Sequence, residues 1–135
     1  MGEHRQIGEV AERTNLSLRT IRHYEDVGLV RPSARSKGGF RLYTESDVQR
    51  LLLIRRMKPL DFTLDEMADL LAVLDDLAGR TSDREALLDR LRMYHQAAAQ
   101  RIIALREQLD AAVDFADDLQ QRLDLHTPQP SDRPV

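Results

Sequence analysis

The chain has 135 residues, 41% hydrophobic but only 4% aromatic and 32% charged, which bounds it to one ordinary domain or a small domain plus one long helical element. It has no Cys, which excludes disulfides, thiolate metal sites, iron–sulfur clusters and thiol redox sensing. The net charge of −3 hides an asymmetry: residues 1–60 carry twelve Lys/Arg against seven Asp/Glu, whereas residues 61–135 carry eight against sixteen. A basic half able to meet phosphate is therefore joined to an acidic half that avoids it.

The N-terminus, Met1-Gly-Glu-His-Arg5, lacks a secretory apolar region, and no run approaches the ~18 apolar residues of a membrane span. No membrane partner is expected, and the cytoplasm is the expected compartment. Ile7, Val10 and Ala11 predict a short helix from about Gly8 to Thr14, after which Asn15 turns the chain. Ser17 is a natural N-cap for a second helix, with Leu16 and Ile21 as its hydrophobic staple. That helix is expected to bury Leu18 and Ile21, with Val27 as a further candidate, and to stop at Gly28. Two short helices joined by a tight turn make a helix-turn-helix.

Arg31-Pro32 leads into an extended segment. Gly38-Gly39 separates Arg35 and Lys37 from Phe40-Arg41-Leu42-Tyr43, which alternates apolar and polar as one strand of a small hairpin does. Thr44 and Asp47 cap a third helix with Val48, Leu51, Leu52, Ile54 and Met57 on its apolar face, ended by Pro59. Thr63 and Glu66 form a capping box, with Phe62 and Met67 as the staple of a fourth helix reaching to about Gly79.

Ser82 and Glu85 form another capping box and open the last helix. Leu88, His95, Ile102, Leu109, Ala116 and Leu123 recur every seven residues, interleaved with Leu91, Ala98, Leu105, Ala112 and Leu119. Five heptads with one polar member read as a coiled-coil seam, in a helix of roughly 40 residues and about 60 Å. Nothing else in the chain is large enough to cover it, so self-association is expected. His95, the polar member, either fixes register or snorkels at the seam edge, or it forms a pH- or ligand-responsive site at the dimer interface. From His126 the tail is polar, holds three prolines and is expected to be disordered. The expected division is 1–78 as the DNA-binding domain, 79–124 as the dimerisation helix and 125–135 as the tail.

Arg19, Thr20, Arg22 and Tyr24 lie on the second helix, offset from Leu18 and Ile21. Ser17, Arg19 and Thr20 sit near its N-terminus, where helix-turn-helix proteins touch base edges. A basic hairpin beside a basic helix makes a surface that tracks phosphate. No spacing suggests a nucleophile with its base, a phosphate loop or a catalytic carboxylate pair, so an enzyme is not expected, nor is a cofactor. His4, His23, His95 and His126 are too dispersed to form a metal site within one chain. A coiled-coil adaptor and a non-specific architectural DNA-binding protein remain as alternatives.

The joint pattern Arg19-Thr-Ile-Arg-His-Tyr-Glu-Asp-Val-Gly-Leu29, then Arg31-Pro32, then Gly38-Gly-Phe-Arg-Leu-Tyr43, resembles the winged-helix DNA-binding domain of the MerR-type transcriptional regulators. The resemblance runs from Gln6 to Leu74, continues through Phe62-Thr-Leu-Asp-Glu-Met67 and includes the long helix. It implies a mainly α fold: a winged helix-turn-helix with a small β-hairpin wing, then an antiparallel coiled-coil homodimer. Two such wings would bind a pseudo-palindromic promoter site, bending and untwisting the DNA so that RNA polymerase can use it. Residue by residue, it implies that Ser17, Arg19 and Thr20 approach bases or nearby phosphates and that Arg22 and Tyr24 hold the backbone. Arg41 and Tyr43, with Arg35 and Lys37, would belong to the wing, and Lys58 would contact phosphate. The sequence departs from the family at His23, where an aromatic is usual, at Asn15 and Asp61, where glycine is common, and at Pro59. The effector is left unspecified: the cysteines of metal and redox sensors are missing, and only a short tail follows the long helix.

Overall fold

A computed structural model of the chain describes residues 4–32, 34–80 and 83–128, with the backbone alone for Ala34 and Arg35. The elements run β1 (Arg5–Gln6), α1 (Ile7–Thr14), α2 (Leu18–Asp26), β2 (Ala34–Arg35), β3 (Arg41–Tyr43), α3 (Glu45–Met57), a 3-10 turn (Lys58–Leu60), α4 (Leu64–Ala78) and α5 (Arg84–His126). Two compact units, Met1–His95 and Gln96–Val135, divide the chain.

Local chemistry sets most boundaries in the first unit. Asn15 adopts the left-handed conformation (φ 55°) and closes α1. Ser17 accepts a hydrogen bond from the Thr20 N–H at 3.0 Å and starts α2. Thr44–Asp47 and Thr63–Glu66 form full capping boxes at α3 and α4, and each threonine cap contributes about 1 kcal/mol. The end of α2 is a Schellman turn. With Gly28 at φ 84°, the Leu29 N–H bonds the Tyr24 carbonyl at 2.9 Å and the Gly28 N–H bonds the Glu25 carbonyl at 3.0 Å. Leu29 and Tyr24 are both buried, supplying the apolar contact that accompanies this motif.

The core gathers Val10 of α1, Ile21 and Tyr24 of α2, Leu29 and Val30, Tyr43 of β3, Val48, Leu51, Ile54 and Met57 of α3, and Met67 and Leu71 of α4. Each fully buried aliphatic side chain is worth about 1.5–3 kcal/mol. Leu18 and Val27, expected in the core, are 40% and 43% exposed. A nine-residue helix offers the core only one strip, here Ile21 and Tyr24. Leu18 lies at its first turn, and Val27 is the C-cap beyond it. Val73 of α4 is fully buried although the sequence reading did not single it out.

The sheet has the order β1-β3-β2, both pairs antiparallel. The hairpin β2–β3 was legible, but β1 was not: Arg5 and Gln6 carry no strand pattern and are strands only because Tyr43 and Leu42 lie opposite. Pro59 ends α3 as expected. Lys58 nevertheless keeps right-handed helical angles as the first residue of the 3-10 turn, and Asp61 takes the left-handed corner at φ 62°.

Arginines brace the helix ends. Arg13 of α1 holds Glu45, at the start of α3, through both carboxylate oxygens, and Gln49 donates to the same carboxylate at 3.0 Å. The Arg13 hydrogen bonds, then that of Gln49, lower the Glu45 carboxyl from its ordinary 4.5 to about 2. A carboxylate more acidic folded than unfolded stabilises the fold above its unfolded pKa, and that contribution fades as pH falls from about 4.5 towards 2. Across that window the urea midpoint is expected to drop less steeply in Glu45→Gln than in the parent, with the gap narrowing in salt because the pair is exposed. Parallel profiles would dismiss this contribution. Arg50 joins three segments, donating to the Leu29 carbonyl at 2.8 Å and to both Asp75 oxygens at 2.9 Å.

The first turns of α5 pack on α4. Asp69 accepts hydrogen bonds from Arg90 and from the Tyr94 hydroxyl, and Tyr94 stacks at a tilt 6.2 Å from Phe62. Leu87 is buried, and Leu88, Leu91 and Ala98 are half-buried. From 99 to 128 every residue is exposed. The apolar positions Ile102, Leu105, Leu109, Leu119 and Leu123, 43–61% accessible, run along this part of the helix. The helix continues through Leu125 and His126, so the expected tail begins later than residue 125. The expected Ser82 cap and the tail from 129 lie outside the described residues.

Candidate nucleic-acid interface

Helix α2 presents one face to the core and the rest outward. With Ile21 and Tyr24 buried, Arg19, Arg22 and His23 are exposed, spaced three and four residues apart on one side of the helix. Two open grooves flank this side. One, of about 500 Å³, is lined by Arg19, Thr20, His23 and Tyr24 of α2, by Lys58 and by the Phe62–Met67 segment that opens α4. The other, of about 400 Å³, is lined by Arg22, by Gly39, Phe40 and Arg41 of the wing, and by Gln6 and Ile7. The fold thus brings Arg19, Thr20 and Lys58 to one flank of the helix and Arg22 and the wing to the other. Cations spread over both grooves suit a polyanion whose charges are strung along a backbone.

Ser17 is exposed, but its hydroxyl already serves α2: it accepts from the Thr20 N–H and donates to Thr20 Oγ1 at 2.8 Å. Tyr24 is only 4% exposed. It is first a core residue, and burial raises its phenol above the ordinary value. What the sequence suggested as a backbone clamp is the packing partner of Leu29, with its remaining edge on the groove.

Two of the expected wing residues have partners or burial within the fold. Strand residues alternate between faces, so Arg41 and Tyr43 share one side of β3 and Phe40 and Leu42 the other. The Arg41–Tyr43 side faces inward. Tyr43 is completely buried, and its hydroxyl has no hydrogen-bond partner among the described residues, so it cannot reach DNA. Arg41 lies 2.8 Å from Glu25 of α2, in an ion pair whose carboxylate side chain is 6% exposed. Lys37 is exposed at the wing tip. Arg35 pairs through its backbone with Arg41, and its side chain lies outside the described residues.

Phe40 and His23 are among the lining residues outside the expected set. Phe40 is 65% exposed, and its ring lies 3.2 Å from where a Cβ on Gly38 would stand. The signal was present in the sequence: Phe40 has the opposite parity to Tyr43, the one large residue of the strand that the core claims. The tip itself is closed by Ser36 N–H to the Phe40 carbonyl (2.8 Å), Gly39 N–H to the Ser36 carbonyl (2.9 Å) and Phe40 N–H to Ser36 Oγ (3.1 Å), with Gly39 at φ 83°.

The burial of Tyr43 gives a direct check. Tyr43→Phe removes a hydroxyl that has no described partner, so stability is expected to change by no more than about 0.5 kcal/mol or to rise, with DNA affinity unchanged. A clear fall in affinity in a variant that melts normally would return Tyr43 to the interface.

Comparison with known proteins agrees with this architecture. The family model "MerR HTH family regulatory protein" matches residues 5–74, and "MerR, DNA binding" matches residues 48–112. An uncharacterized HTH-type transcriptional regulator of Pseudomonas aeruginosa is 36% identical over 114 residues, 84% of this chain and 79% of that protein. Among solved structures, a chain from Listeria monocytogenes assigned to the MerR family superposes with a TM-score of 0.68 at 27% identity, covering 88% of each chain. HiNmlR, a MerR family regulator lacking the sensor domain and solved bound to promoter DNA, shares the fold at a TM-score of 0.67 and 20% identity, covering 92% of this chain and 95% of its own. With a winged helix-turn-helix matched across residues 5–74 and the following segment matched to 112, this chain belongs to the MerR family of helix-turn-helix transcriptional regulators.

Proposed function

We propose that the regulator acts as a homodimer on a pseudo-palindromic promoter site, with residues 1–78 as the DNA-binding domain and 79–124 as the dimerisation helix. The observation that carries this reading is the distribution of cations beside α2, with Arg19 and Lys58 in one groove and Arg22 in the other. Arg19 and Thr20 approach base edges. Arg22, Lys37 and Lys58 follow phosphate, and Ser17 orients the helix start. The heptad Leu88, Leu91, His95, Ala98, Ile102, Leu105, Leu109, Ala112, Ala116, Leu119 and Leu123 forms the seam between two antiparallel α5 helices. Its exposure beyond residue 98 supports this, because an apolar stripe of that length in water favours a partner.

HiNmlR was solved on promoter DNA. Following the family resemblance, the proposal includes distortion of the promoter spacer and, through it, an indirect action on RNA polymerase. Footprinting the DNA upstream of its own gene, repeated across a salt series, tests the reading. A two-fold symmetric footprint with steeply salt-dependent affinity is expected. Equal protection of random DNA would point to an architectural protein, and no protection to an adaptor.

A further inference from the structure

We propose that Glu25 is a positioning residue for DNA binding, acting through Arg41 to hold the wing at the angle α2 requires, so that Arg41 serves this pair rather than a phosphate. The inference rests on the DNA-binding reading above and concerns how that surface is held.

Four observations carry it. Glu25 stands on the last turn of α2 with its side chain 6% exposed, and a carboxylate so withdrawn from water needs a cation or strong hydrogen bonds. Arg41 of β3 provides a cation at 2.8 Å and is itself one-third exposed. Backbone hydrogen bonds tie β3 to β1 and β2, whereas the pair links the wing to α2 through side chains. Lastly, Arg41 lines the groove that holds Arg22 and Phe40, so a change in the pair alters the spacing between the recognition helix and the wing.

The electrostatics make the idea sharp. An acid beside a polyanion's binding surface opposes binding, so neutralising Glu25 should tighten DNA if charge alone mattered, and would also release Arg41 to phosphate. Positioning predicts the opposite sign.

The test uses the full chain, titrated by fluorescence anisotropy against its footprinted site and against a random duplex of equal length, over a range of salt concentrations. Glu25→Gln is expected to weaken the specific site about tenfold and leave the random duplex nearly unchanged. The slope of log affinity against log salt should stay that of the parent. Arg41→Gln should behave alike, and the double variant should bind no worse than either single one. Tighter or unchanged binding by Glu25→Gln overturns the proposal, as does a loss shared equally by both duplexes. It is also overturned if Arg41→Gln flattens the salt slope by about 0.9 on both, the mark of a lost phosphate contact. Should Arg41→Gln fail to melt cooperatively, because it removes a cation from beside a carboxylate only 6% exposed, the sign of the Glu25→Gln effect decides alone. A parent that shows no preference for its site would instead sink the regulator reading before any variant is measured.

Discussion

Leu105→Lys is expected to dissociate the homodimer and, with it, high-affinity operator binding. The proposed seam from Leu88 to Leu123 has its midpoint near Leu105, so antiparallel pairing over its full length would bring the two copies of this residue together near the two-fold axis. The substitution removes two leucines from the interface, forfeiting about 3–6 kcal/mol. That corresponds to roughly two to four decades in the dimer dissociation constant. The two introduced ammonium groups also repel across the axis. The helix itself should survive, because Leu105 is 44% exposed in the single chain and Lys is a good helix former. Sedimentation equilibrium and circular dichroism on the same samples separate these effects. Monomers with undiminished helicity are expected, binding a half-site weakly, whereas a tight dimer would mean that the seam lies on another face of α5.

Arg19→Ala is the second large effect. Arg19 is exposed in the first turn of α2 and shares its groove with Thr20 and Lys58, where a major-groove helix meets base edges. If its guanidinium reads a base bidentately, truncation costs about 1–3 kcal/mol at the operator and much less on random DNA. Competition binding with both duplexes measures the difference. Parallel losses would make Arg19 a backbone contact and move the base-reading role to the other exposed positions of α2. Stability should hardly move, because Arg19 is exposed and takes no part in the core.

The features that were readable in the sequence are those with local causes. Ser17, Thr44 and Thr63 cap helices by hydrogen bonds that reach only three residues, and Gly28 ends α2 through its own backbone freedom. The features that were missed have non-local causes. β1 exists because Tyr43 and Leu42 lie across from it, and Leu18 is exposed because the core ends before the first turn of α2. The candidate site divides in the same way. Arg19, Arg22 and Lys58 line the two grooves beside α2. Tyr24, Arg41 and Tyr43 are contacts by the family resemblance, yet the fold uses them inside or at its edge. For the two wing residues, strand parity already held the answer. If Tyr43 fills the core, Arg41 turns the same way.

The two ends of α2 have a consequence for how such a regulator changes over generations. Ser17 fixes its start, the Gly28 turn fixes its finish, and Ile21 and Tyr24 anchor the middle in the core. The exposed positions between them carry almost none of the folding free energy, so they can be exchanged one at a time without passing through unfolded intermediates. A duplicated copy could therefore acquire a new operator by a few neutral steps, while substitution at Gly28 or Ile21 would be purged. Stability thus constrains where the helix lies and leaves its exposed side chains open to exchange.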